Sequence, residues 1–324
     1  MNDVLEQIRL CGIIPVVKID DAEQAVPLAK ALVAGGIRCI EVTFRTEAAK
    51  EAIANIVNAY PDVLVGAGTV TTIQQANDAL LAGAKFLVSP GINPEIVRYS
   101  LSHNTLIIPG CANATDIETA LSLGLKTVKF FPSELLGGLP MIKALAAPYV
   151  NMSFIPTGGI NESNYLTYLD DPKIVAIGGS WMVNADLISG NRFDEIEALS
   201  HKAVIGMLGF DLAHLGINEE SESAAINAAT TFAHWFGFSV KPGNSSNFVV
   251  SKSGSIVEFM KSPYLGRHGH IAIKTNNIDR AIAYLIRQGL TFNDETKKYT
   301  PKGQLAAVYL MDEVSGFAVH LVQK

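Results

Sequence analysis

Short, β-branched apolar runs recur through the first two thirds of the chain, at residues 13–17, 37–43, 63–67, 86–88, 106–108, 128–130, 153–155 and 174–177. Each is short and rich enough in Val, Ile and Phe to be a strand buried on both faces. Between them lie segments of helical spacing, such as 22–34 and 72–81, several closed by a glycine suited to a helix C-terminal cap, for example Gly35 and Gly83. Eight strand-then-helix units in about 200 residues predict an α/β fold, a (β/α)8 TIM barrel near its minimum size. An open, doubly wound parallel sheet is the other architecture that such alternation allows.

The pattern changes near residues 206–209. A helical stretch at 193–205 is followed by a strand at 212–217, a helix at 220–235 and further strands ending at 256–260. The order then recurs, with a strand at 270–274, a helix at 278–287 and strands ending at 318–322. His214-Leu-Gly-Ile-Asn aligns with His270-Ile-Ala-Ile-Lys, and Val257-Glu258-Phe259 with Val319-His320-Leu321, an internal repeat of 56 to 62 residues. Charge changes at the same place: residues 1–205 hold 14 bases and 21 acids, residues 206–324 hold 11 and 10. Two domains are expected, 1–205 and 206–324.

Composition then narrows the function. With 48% hydrophobic and 17% charged residues, the chain has enough apolar surface to fold into packed cores. A net charge of −6 without any basic block argues against a nucleic-acid partner, because phosphate contacts need clustered Lys and Arg. No apolar run approaches the roughly 18 residues of a membrane span, and the acids of the first ten residues do not suit a signal peptide. A cytoplasmic protein with no membrane partner is expected. The scattered Cys11, Cys39 and Cys111 make neither a disulfide framework nor a thiolate metal site.

Barrels of this kind keep their chemistry at the C-terminal ends of the strands. Lys129 is the most unusual residue there, because an ammonium within Val-Lys-Phe-Phe pays a large desolvation cost unless it is paired or gives up its proton. The neutral amine is also the form that attacks a carbonyl to make a Schiff base. Glu41, within Cys-Ile-Glu-Val-Thr, is equally awkward, and the two together suggest an imine lysine beside an acid–base partner. A lysine snorkelling to solvent, or a purely structural Lys–Glu pair, is the plainer alternative. Arg45 and Thr69, just past strands two and three, can hold a substrate carboxylate. The glycine pairs at Thr157-Gly158-Gly159 and Gly178-Gly179-Ser180 bring backbone N–H groups close to an anion, where this barrel often binds phosphate; tight turns alone also use glycine.

These residues together resemble the 2-keto-3-deoxy-6-phosphogluconate and 4-hydroxy-2-oxoglutarate aldolase family of class I aldolases. The matching segments are Glu-Val-Thr-Phe-Arg-Thr (41–46), Gly-Ala-Gly-Thr (66–69), Ser-Pro-Gly (89–91), Lys-Phe-Phe-Pro (129–132), Pro-Thr-Gly-Gly-Ile (156–160) and Gly-Gly-Ser-Trp (178–181). The resemblance implies Lys129 as the imine lysine and Glu41 as general acid and base. It implies Arg45 and Thr69 as carboxylate binders, Pro90 and Phe131 as substrate contacts, and Thr157, Gly158, Gly159, Gly179 and Ser180 as the phosphate end. It further implies a small keto acid as substrate, a homotrimer, and no cofactor beyond the lysine imine. Ser133 stands where many members have Ala, and Phe44 where Leu is usual.

The repeat resembles a vicinal-oxygen-chelate domain, the paired βαβββ modules of the glyoxalase and extradiol dioxygenase superfamily. That resemblance implies an α+β domain with a divalent metal held by His214, Glu258, His270 and His320, where His320 stands in place of a common second carboxylate. Three imidazoles and a carboxylate suit zinc, nickel, iron or manganese. Other readings are a degenerate module without metal, a metalloenzyme whose main reaction lies in the C-terminal part, and a sugar-acid binding protein whose barrel has lost turnover.

Overall fold

The computed structural model describes residues 2–324, which divide into two compact units, one running to Met207 and the other covering Leu208–Lys324. Among the described residues no helix is long and apolar enough to cross a membrane.

Among its described residues the first unit contains nine strands: β1 (Ile13–Val17), β2 (Cys39–Thr43), β3 (Leu64–Gly68), β4 (Phe86–Val88), β5 (Leu106–Ile108), β6 (Gly110–Cys111), β7 (Thr127–Phe130), β8 (Ser153–Pro156) and β9 (Ile177–Gly179). They pair in parallel as β5-β4-β3-β2-β1-β9 and as β6-β7-β8. Two bridges, Phe154 to Ile174 and Thr157 to Gly178, link the edges near β8 and β9. On the other side Lys129 N–H donates to the Pro109 carbonyl at 2.9 Å. Pro109 has no N–H to give to a ladder, and it interrupts what would otherwise be one strand into β5 and β6. The result is a curled, parallel, barrel-like core.

Inside the curl, Ile14, Cys39, Leu64, Phe86, Val88, Ile108 and Ile155 form one buried cluster with Ile8 of the helix Asn2–Cys11. That opening helix, absent from the strand-and-helix reading of the sequence, packs its apolar face against the cluster. Gly66 faces the same interior. A Cβ there would lie 2.2 Å from Phe86 Cζ, so the glycine makes room for the ring.

The last strand departs from the sequence expectation, while the Gly35 cap is found where expected. The last strand is Ile177–Gly179 rather than 174–177, because β1 offers its pairing positions to Ile177, Gly178 and Gly179 while Ile174 makes only the bridge to Phe154. Gly179 thus lies in a strand and not in a turn. Gly35 is the C-cap of the helix Ala25–Ala34 as expected, its N–H donating to the Ala31 carbonyl, in an ordinary right-handed conformation; the positive φ falls on Gly36. A Cβ on Gly35 would lie 2.5 Å from Ser200 Cβ, so its glycine serves helix packing.

The second unit is an eight-stranded sheet of β10 (Asp211–Asn218), β11 (Ser239–Pro242), β12 (Ser246–Val250), β13 (Ile256–Met260), β14 (Gly269–Thr275), β15 (Phe292–Tyr299), β16 (Leu305–Val314) and β17 (Phe317–Gln323). Helices Glu222–Phe236 and Ile278–Arg287 follow β10 and β14. The order β11-β12-β13-β10-β14-β17-β16-β15 reads the same from either end, with β10 and β14 antiparallel at the centre. Each half is therefore β-α-β-β-β, with its first and last strands parallel neighbours. The first of these helices begins at Glu222 rather than 220, because the Ser221 hydroxyl accepts from Ala224 N–H and caps it.

The Gly66–Phe86 contact is directly testable. Gly66→Ala is expected to destabilise the first unit by about 1–3 kcal/mol through overpacking, read as a lower denaturant midpoint; an unchanged midpoint would contradict this packing.

Candidate active site

All strands of the first unit run in parallel, so the ends of β2, β3, β4, β7, β8 and β9 open on one side. Lys129 lies in β7 opposite Ile155 of β8 and Gly110 of β6. Ile155 belongs to the interior cluster, and strand pairing puts Lys129 on that same inward face. Glu41 lies in β2 opposite Gly66 of β3. Both charged side chains are buried, and Lys129 Nζ lies 3.7 Å from Glu41 Oε1.

The carboxylate has space because β3 supplies none of its own. A Cβ on Gly68 would lie 2.1 Å from Glu41 Oε1 and 2.7 Å from Glu41 Cγ. The Gly-Ala-Gly of β3 is thus a slot for the glutamate and for Phe86, a role that spacing alone does not disclose. Glu41 Oε1 is buried with no hydrogen-bond partner, its nearest charge being the lysine just beyond hydrogen-bond reach. An acceptor left open in this way can receive a proton. Lys129 Nζ also sits 5.0 Å from the centroid of the Phe131 ring, whose face favours a cation.

The other candidates surround this pair at the strand ends. Thr43 Oγ1 donates to the Val17 carbonyl (2.8 Å) and accepts from Arg45 Nε (3.1 Å), so a buried threonine holds the guanidinium at the end of β2. Arg45 is exposed and enters no ion pair among the described residues. Thr69 has φ 57°, a left-handed backbone that a β-branched residue rarely adopts; it turns the chain at the end of β3. Pro90 is exposed at the end of β4, its carbonyl over Gly110, where a Cβ would come within 2.0 Å. Thr157 is buried, and Gly158 and Gly159 both hold positive φ, 94° and 84°. Consecutive left-handed residues make a turn that only glycine enters at no steric cost. Ser180 is exposed just past β9, and Gly179 packs under the Trp181 ring. The structure therefore brings Lys129 and Glu41 into contact and sets the remaining candidates on the same strand ends. Sequence reasoning missed Thr43, whose only signal was a polar residue two positions before Arg45.

The second unit holds a separate cluster. His214 in β10 lies opposite Ala272, and His270 in β14 opposite Gly216. Glu258 in β13 lies beside Gly216, and His320 in β17 beside Ala272. These pairings place all four side chains on one face of the sheet. The imidazoles of His214, His270 and His320 offer ligand atoms all within 4.8 Å of one another. Glu258 Oε2 lies 3.3 Å from His214 Nε2 and 3.2 Å from His270 Nε2, while its Oε1 accepts from the Ser246 hydroxyl. Small residues make this possible, since a Cβ on Gly216 would lie 2.1 Å from the His270 ring. Burial, followed by the neighbouring His270 and His214, drives the His320 imidazole down to about 3, so it stays neutral at physiological pH. The Tyr309 ring stacks on His320 at 4.4 Å between centroids. Tyr309 and Ser246 escaped the sequence reading, because the repeat marks equivalent positions and not the residues that pack between them.

Comparison with known proteins accords with the first unit. The family model described as "KDPG and KHG aldolase" matches residues 4–199. The 2-dehydro-3-deoxy-phosphogluconate aldolase of Treponema pallidum (strain Nichols) is 52% identical over 210 residues, covering 64% of this chain and 100% of its own. The KHG/KDPG aldolase of Escherichia coli (strain K12) is 42% identical over 194 residues, covering 60% of this chain and 91% of its own. Among solved structures, the KDPG aldolase of Legionella pneumophila, captured with pyruvate as a covalent carbinolamine, superposes with a TM-score of 0.60 at 39% identity. It covers 61% of this chain and 97% of that one. A buried lysine meeting a buried glutamate inside a curled parallel sheet and a family model spanning most of that unit lead to one conclusion: the chain belongs to the KDPG and KHG aldolase family.

Proposed function

We propose that residues 1–205 form a closed (β/α)8 barrel that cleaves 2-keto-3-deoxy-6-phosphogluconate to pyruvate and glyceraldehyde 3-phosphate, or 4-hydroxy-2-oxoglutarate to pyruvate and glyoxylate. The protein is a carbon–carbon lyase of the Schiff-base type, and the observation that carries the residue assignment is the buried 3.7 Å approach of Lys129 to Glu41. The two bridges near β8 and β9 and the Lys129–Pro109 hydrogen bond support closure of the barrel. A homotrimer is part of the proposal, as is a cytoplasmic setting.

In this reading Glu41 takes a proton from the Lys129 ammonium, and the free amine attacks the C2 carbonyl carbon of the keto acid. Glu41 returns the proton to the departing hydroxyl, water leaves, and a protonated imine forms. Glu41 then accepts the proton of the C4 hydroxyl as the C3–C4 bond breaks, the electron pair moving into the imine to give an enamine and an aldehyde. Protonation of the enamine at C3 and hydrolysis release pyruvate. The imine is the electron sink, so this chemistry needs no cofactor. Arg45 and Thr69 grip the C1 carboxylate, Phe131 and Pro90 flank the chain of the substrate, and Thr157 to Gly159 with Gly179 and Ser180 receive the phosphate.

For residues 206–324 the proposal is a glyoxalase-like vicinal-oxygen-chelate domain of paired βαβββ modules that holds one divalent metal. Both nitrogens of His320 and Nδ1 of His270 are buried without hydrogen-bond partners, which suits imidazoles that would ligate a metal. His214, His270, His320 and Glu258 would hold the ion, which would act as a Lewis acid toward a ligand carbonyl. Ser246, bonded to Glu258 Oε1, orients the carboxylate toward the imidazoles.

Borohydride added with pyruvate is expected to leave its covalent adduct on Lys129 and on no other lysine, located by peptide mass spectrometry. Lys129→Ala should abolish turnover, and Glu41→Gln should slow it by roughly 10² or more; an adduct elsewhere, or wild-type rates for Glu41→Gln, would remove these roles. Elemental analysis should find about one divalent ion per loaded chain, lost in a His214→Ala, His270→Ala double variant, with aldol cleavage surviving chelation. Equal, negligible metal in wild type and variant would make the cluster a relic of the fold.

A further inference from the structure

Four residues after Lys129, the chain leaving β7 meets the chain leaving β8. Ser133 N–H donates to the Thr157 carbonyl at 2.8 Å and Glu134 N–H to the Gly158 carbonyl at 3.0 Å, so the two segments are zipped together by backbone. Side chains complete the join. Tyr168, on the short helix Tyr165–Leu169 beyond β8, donates its hydroxyl to Glu134 Oε1 and lies 3.2 Å from Ser133 Oγ. Ser133 is fully buried and Tyr168 is 2% exposed. Burial, and then the Glu134 carboxylate, push the phenol up to about 12, so it remains a donor at neutral pH.

Two glycines make space for this set. A Cβ on Gly159 would lie 2.5 Å from Glu134 Cβ and Cγ, and a Cβ on Gly138 would lie 2.7 Å from Tyr168 Oη. The stem of Glu134 therefore rests on the Gly158–Gly159 turn while its carboxylate is held by the tyrosine. Unheld, that carboxylate would sit on a flexible stem beside a turn meant for an anion, where like charges repel.

We propose that Tyr168 and Glu134 are positioning residues for the phosphate end of the substrate. Tyr168 acts through Glu134 in two ways: it fixes the Gly158–Gly159 turn against the segment that carries Lys129, and it draws the one acid of that segment away from the anion. This inference rests on the assignment of Thr157 to Gly159 as the phosphate end. It adds a sequence signature, since Ser133, placed where many family members carry Ala, contributes a second hydroxyl to the same tyrosine.

The test compares wild type, Tyr168→Phe, Glu134→Ala and Glu134→Gln on the phosphorylated six-carbon substrate and on 4-hydroxy-2-oxoglutarate, which has no phosphate. Tyr168→Phe and Glu134→Ala should each raise KM for the phosphorylated substrate about tenfold, the scale of one lost hydrogen bond. Their kcat on it, their KM for 4-hydroxy-2-oxoglutarate and the yield of borohydride-trapped pyruvate should stay within about twofold of wild type. Glu134→Gln, which keeps an acceptor for the tyrosine, should rescue most of the KM effect. Loss on both substrates alike, or an unchanged KM in Tyr168→Phe and Glu134→Ala, would overturn the proposal. Should Tyr168→Phe fail to fold, the contrast between Glu134→Ala and Glu134→Gln decides in the same way. A wild type that handles both substrates with equal KM would instead remove the phosphate-end assignment and this inference with it.

Discussion

Taking an ammonium and a carboxylate out of water costs several kcal/mol per ion, and their attraction rarely repays it in full. The first unit nevertheless buries Lys129 and Glu41 together at 3.7 Å, and much of its interior is arranged around that expense. Gly66 and Gly68 give up side chains so that Phe86 and Glu41 can occupy the space above β3. An apolar cluster that includes Ile155, the strand partner of Lys129, packs with Ile8 of the helix Asn2–Cys11 inside the same curl. The pair is held just outside hydrogen-bond distance, and Glu41 Oε1 keeps an open acceptor position.

The second unit reaches a polar centre by different means. Its two halves are related by a palindromic strand order, and the antiparallel β10–β14 pair sets His214 and His270 diagonally across the centre. Their parallel neighbours β13 and β17 add Glu258 and His320 at matching positions. Gly216 and Ala272, the small residues opposite the two central histidines, clear the face on which the rings meet. Here symmetry of the backbone, rather than a slot cut by glycines in one strand, gathers the chemistry.

Much of this was legible from sequence because the informative residues are out of place locally. A charged residue inside an apolar strand, as at Glu41 and Lys129, signals its own cost, and a repeated His at the start of two similar modules signals its partner. Strands β1, β4 and β5 were read at their observed bounds, since short Val- and Ile-rich runs admit few other placements. What stayed hidden depends on neighbours far along the chain. Gly68 looks like any turn glycine until Glu41 is seen lying over it, and Gly35 reads only as the cap it is until Ser200 is seen against it. Tyr168 meets Ser133 and Glu134 across 35 and 34 residues, a pairing that no periodicity reports. Tyr309 reaches His320 only because β16 and β17 pair in that register.

The proposed mechanism requires an enamine made at Lys129 with Glu41 moving the proton at C3, and that half-reaction can be watched without any aldehyde. Wild-type protein with pyruvate in D2O, followed by proton NMR, should lose the pyruvate methyl signal through exchange. Lys129→Ala should leave it intact, and Glu41→Gln should slow its loss in step with its loss of turnover. Methyl exchange continuing at the wild-type rate in Lys129→Ala, or no exchange in the wild type, would contradict the central claim.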